Sequence, residues 1–105
     1  MKKLFYSIDE FGAEALNEWW MAKGGGIKET EFPEEEFARL EFSVFHPWAF
    51  DNFDIDIDDY EEDVIPLEHI DSFLERIEEL KLDVPVFKEA LLKAKEWGGI
   101  VVCWC

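Results

Sequence analysis

Asp54, Asp56 and Asp58 stand two residues apart, the spacing of the first three ligands in a helix–loop–helix calcium site. The rest of that loop fails. Asp59 falls where a glycine must make the sharp turn, and Ile65 falls where a bidentate glutamate must close the coordination shell. Cys103, Cys105, His46 and His69 offer thiol and imidazole ligands for zinc, but without the paired spacing of a structural zinc site. Two cysteines separated by one residue on a strand share a face and do not suit a native disulfide. No metal and no cofactor is therefore expected. Ser7, Ser43 and Ser72 are the only serines, and none lies in an activated-nucleophile motif. Gly24, Gly25 and Gly26 lack the lysine and the strand–helix context of a phosphate loop, so they read as a helix stop. Carboxylate pairs are unavoidable in a chain this acidic and mark no glycosidase site. The expectation is a protein that is not an enzyme.

Carboxylates that do not catalyse can still bind. Among 105 residues there are 26 acids against 10 Lys and Arg, a net charge of −16 and a pI near 4.3. This balance opposes direct binding to nucleic-acid phosphates and to anionic membrane surfaces. The charge is unevenly spread. Between Arg39 and Arg76 there is no Lys or Arg, while the interval holds twelve acids, eight of them from Asp51 to Asp63. Trp48, Phe50, Phe53 and Tyr60 are interleaved with them. Interfaces enrich aromatic anchors, and a field of one sign steers an oppositely charged partner. The candidate partner-binding residues are Trp48, Asp51, Asp54, Asp56, Asp58, Asp59, Tyr60, Glu61 and Glu62. The competing reading places the aromatics in the core and leaves the carboxylates as a solvated face.

The chain that must position these residues reads as one domain, residues 1–105. Hydrophobic residues make up 49% and aromatics 16%, too apolar for a disordered acidic tail. The N-terminal apolar run is interrupted by Asp9 and Glu10, so no signal peptide is expected, and no segment has the length of a membrane span. Lys2–Tyr6 reads as a strand. Ser7 and Glu10 form a capping box for a helix to about Lys23, with Ile8, Phe11, Ala15, Trp19 and Ala22 on one face. Glu29–Glu36 reads as a turn or edge strand broken by Pro33. Phe37–His46 reads as a strand with Leu40, Phe42 and Val44 on one face, and Asp54–Asp58 as a strand of strict alternation. Pro66 opens a helix whose stripe is Leu67, Ile70, Phe73, Leu74, Ile77 and Leu80. Asp83 and Pro85 open another, with Phe87, Ala90, Leu91, Ala94 and Trp97 inward. Ile100–Cys105 is apolar enough for a central strand. The order is β-α-(β)-β-β-α-α-β, an α+β fold with one small mixed or antiparallel sheet and about three helices.

The closing stretch from Phe87 to Val102 is a helix that turns through Gly98 and Gly99 into a terminal strand. On a small, acidic, aromatic-rich α+β chain, it resembles bacterial immunity proteins. The resemblance is to those paired with toxin domains of contact-dependent growth inhibition and related polymorphic toxin systems. It implies a cytoplasmic inhibitor that neutralises a cognate basic toxin domain, often a nuclease, by covering its active site. These proteins share no family-wide functional residues to carry over. Two other classes stay open: a nucleic-acid mimic acting on a DNA-binding protein, and a small acidic adaptor.

Overall fold

The computed structural model describes residues 2–10, 26–57, 62–97 and 101–104, with the backbone alone for Glu62 and residues 101–104. The fold is α+β. Strand β1 (Lys3–Ser7) is followed by β2 (Ile27–Glu31), helix α1 (Glu34–Leu40), a wide-turn π-helical segment (Glu41–Ala49) and the short helix α2 (Phe50–Phe53). Strand β3 (Glu62–Ile65), helices α3 (Leu67–Leu80) and α4 (Pro85–Trp97), and strand β4 (Val101–Trp104) complete the described chain. The sheet is antiparallel throughout, in the order β2-β1-β4-β3. The apolar C-terminal strand is thus central, with Leu4 opposite Cys103 on one side and Val64 opposite Val102 on the other. Leu4 and Tyr6 are buried in the core, and α4 packs against β1. The helix expected up to Lys23 falls outside the described residues.

Phe37–His46 is not a strand. Two periods are written over the same residues: an alternating one through Leu40, Phe42 and Val44, and a helical one through Phe37, Leu40, Val44 and Phe45. The helical set wins, since all four of its members are buried while Phe42 is 79% exposed. The start signal favours it too. Pro33 caps α1 in an extended conformation, and Glu34, Glu35 and Glu36 fill the first turn, where the helix dipole favours negative charge. His46 breaks the π-helical segment with extended angles (φ −135°, ψ 134°), as the residue before a proline prefers. The His46–Pro47 peptide is cis. Helical turns resume and end at Asp54, which takes the left-handed conformation that Asp tolerates better than most residues (φ 58°).

Asp54–Asp58 is not a strand either. Residues 54–57 carry no regular structure, and Asp58 lies outside the described residues. The period itself is real: Asp54 and Asp56 are exposed, Ile55 packs half-buried on the core and Ile57 is fully buried. The strand that pairs with β4 begins later, at Glu62, where four residues without alternation give no sequence signal. Helix α3 follows its predicted stripe at Ile70, Phe73 and Ile77, with Leu74 half-buried. Leu67 and Leu80, at its two ends, are exposed. In α4, Phe87, Ala90, Leu91 and Ala94 are buried as expected, but Trp97, also expected inward, is 41% exposed at the end of the helix.

The helical layer is locked by a buried charge. Glu36 is 4% exposed, and its carboxylate accepts the backbone N–H of Phe87 at 3.0 Å and of Val86 at 3.2 Å, capping α4 from α1. These donors have no partner within their own helix, so one side chain satisfies a buried and a part-buried N–H group and its own charge. Arg39, one turn along α1, donates to the Asp83 carbonyl at 3.1 Å. Around this joint, Phe32 stacks on Phe87 at 5.6 Å, and Phe37 and Phe45 meet them at steeper angles. Replacing Glu36 with Ala should lower the unfolding free energy by about 3 kcal/mol, the upper range for a hydrogen bond to a charged group. Chemical denaturation measures this. A loss below about 0.5 kcal/mol, the scale of an ordinary surface change, would show that the cap is not needed.

Candidate functional site

The described part of the acidic segment is built on α2 and the irregular run after it. Asp51 and Asp54 are exposed on consecutive turns of chain, and the Asp54 N–H donates to the Phe50 carbonyl at 3.0 Å. Asp56 is exposed beside His46, its Oδ1 3.4 Å from the ring Nε2. The same nitrogen lies 2.7 Å from the Ile57 carbonyl. Asp58, Asp59, Tyr60 and Glu61 lie outside the described residues. The backbone of Glu62 places it at the start of the edge strand β3, opposite Trp104.

Trp48 belongs to a different environment from these acids. It packs edge-on against Phe53 and against Phe73, both at 5.3 Å, and the Arg76 guanidinium sits 5.6 Å above its ring. Arg76 also donates from Nε to the Ser43 carbonyl at 3.3 Å, tying α3 to the π-helical segment. Phe53 stacks on His69 at 4.3 Å, so the second imidazole is also part of this packing. Two aromatics that sequence alone could not single out are free instead. Phe50, directly before Asp51, is 48% exposed, and Phe42 is the most exposed large apolar side chain among the described residues. Burial distinguishes Phe50 from Trp48, and their spacing in the sequence does not.

Some of the other described acids pair with cations. Lys95 reaches Asp71 at 2.6 Å, Lys88 pairs with Glu78, Arg76 with Glu79, Lys93 with Glu96, and Lys3 with Glu29. The hydrogen bond and charge of Lys88 hold the Glu78 carboxyl below its ordinary value. Between α3 and α4 lies an open groove of about 690 Å³, formed by Asp71, Leu74, Glu75, Glu78, Glu79 and Lys95. It contains no nucleophile and no imidazole. Among the described residues no Lys or Arg pairs with Asp51, Asp54 or Asp56, and no three His, Cys, Asp or Glu side chains converge as metal ligands. No described helix is long and apolar enough to cross a membrane.

The two aromatics should respond differently to truncation. Trp48→Ala should cost about 2–3 kcal/mol of stability, because it opens a cavity beside Phe73 and frees Arg76. Phe50→Ser should stay within about 0.5 kcal/mol, as for an exposed site. Urea melts of the two variants check this, and equal losses would contradict the placement. No protein-family model, no curated protein and no solved structure matches the chain.

Proposed function

We propose that this protein is a non-catalytic, cytoplasmic inhibitor that binds a basic toxin domain, of the nuclease kind, and covers its active site. The observation that supports this most is the Phe50 turn. Half-exposed Phe50 directly precedes exposed Asp51, exposed Asp54 and Asp56 follow within six residues, and no described Lys or Arg pairs with these carboxylates. An exposed aromatic next to acids without a described Lys or Arg partner combines an anchor with a steering field. A nuclease must present Lys and Arg to hold phosphates, and a carboxylate surface competes for that groove. Three of the five acids of α3, Asp71, Glu78 and Glu79, are already paired with cations of α4 and with Arg76.

In this reading Phe50 is an anchor in place of Trp48, one of the two aromatics, with Tyr60, that the sequence puts forward, and Asp51, Asp54 and Asp56 form the described part of the surface. The acidic run continues through Asp58, Asp59, Tyr60, Glu61 and Glu62. Co-expression with the product of the adjacent reading frame tests the proposal. The chain should relieve its toxicity and form a complex whose affinity falls as salt rises. Alanine at Phe50, Asp51, Asp54 and Asp56 should weaken that complex unevenly. One or two positions should lose about 2–5 kcal/mol, the cost of leaving a partner cation buried and unpaired. If all four variants bind within tenfold of the parent, about 1.4 kcal/mol, the surface is misassigned.

A further inference from the structure

We infer that His46 is the positioning residue of this surface: its ring pins the end of the Asp54–Ile57 segment, so that Asp54 and Asp56 stay outward while Ile57 stays in the core. This rests on the reading of the surface as partner-binding. The segment has neither a helix nor a sheet ladder to fix its backbone. Its start is held by two bonds, Asp54 N–H to the Phe50 carbonyl at 3.0 Å and Ile55 N–H to the Ala49 carbonyl at 3.4 Å. Its end is held by His46, whose Nε2 meets the Ile57 carbonyl at 2.7 Å across eleven residues of chain. Ile57 is fully buried, so an unbonded carbonyl there would be costly. A carbonyl only accepts, so Nε2 must carry the hydrogen, and the neutral ring is the Nε2–H tautomer. The extended angles of His46, set by Pro47, interrupt the helical turns at the residue whose ring makes this bond. An imidazole can donate here without bringing a fixed positive charge into the acidic face, as Lys or Arg would. Asp56 Oδ1 lies 3.4 Å from the same nitrogen.

Three readouts test this. Nitrogen–proton correlation spectra of the unmodified chain should show the neutral His46 ring protonated at Nε2, and a proton on Nδ1 alone would overturn the assignment. Amide exchange at Asp54 and Ile55 should accelerate at least tenfold in His46→Ala, with the α3 amides of Phe73 and Ile77 unchanged. His46→Gln, which keeps a donor near the same place, should restore the slow rates. Unchanged protection at Asp54 and Ile55, a uniform rise that includes α3, or no rescue by Gln would each overturn the inference. Binding of poly-L-lysine should fall at least tenfold in His46→Ala and recover in His46→Gln. A parent chain that does not bind the polycation sinks the partner-binding reading and with it the functional role of His46. The exchange rates and tautomer then still decide whether His46 holds the segment.

Discussion

A carboxylate enclosed in an apolar core is tolerated only where donors converge on it, and Glu36 finds them at the first turn of α4. The dependence runs both ways. Those N–H groups have also left water, and no residue of their own helix can satisfy them. Joining the two fixes where α1 crosses the start of α4, which sets Phe32, Phe37 and Phe45 against Phe87. Arg39 closes the joint by reaching Asp83, and α4, so oriented, lies on β1. The chain leaving α1 then has to run along α3, where Arg76 holds both Ser43 and the face of Trp48.

That arrangement decides which charges are free. The cations of α4 fall against two acids of α3, in pairs that are exposed and individually weak. Among the described residues the run after α2 has no Lys or Arg partner of this kind. Half-exposed Phe50 directly precedes these carboxylates. A uniform coat of acid would aid solubility but would not orient an incoming partner.

Helices α3 and α4 were legible in the sequence because their signals are local: Pro66 and Pro85 at the starts and a 3.6-residue stripe. The central place of the last strand was legible from its apolarity. Phe37–His46 was not, because the helical and alternating patterns share Leu40 and Val44, and only the burial of Phe45 and the exposure of Phe42 separate them. The Glu36 cap joins residues fifty apart, and no spacing rule encodes such a bond. The acidic segment was legible as charge and alternation. The difference in exposure between Trp48 and Phe50 was not, because it comes from α3, which packs Phe73 and Arg76 against Trp48.

Whether the unmatched acids are the docking face is tested most directly by following backbone amide shifts while poly-L-lysine is titrated into the chain. Shifts concentrated at Phe50–Ile57, and suppressed by salt, are the expected result. Equal shifts along Glu34–Glu36 and the acids of α3, with none favouring Phe50–Ile57, would contradict it.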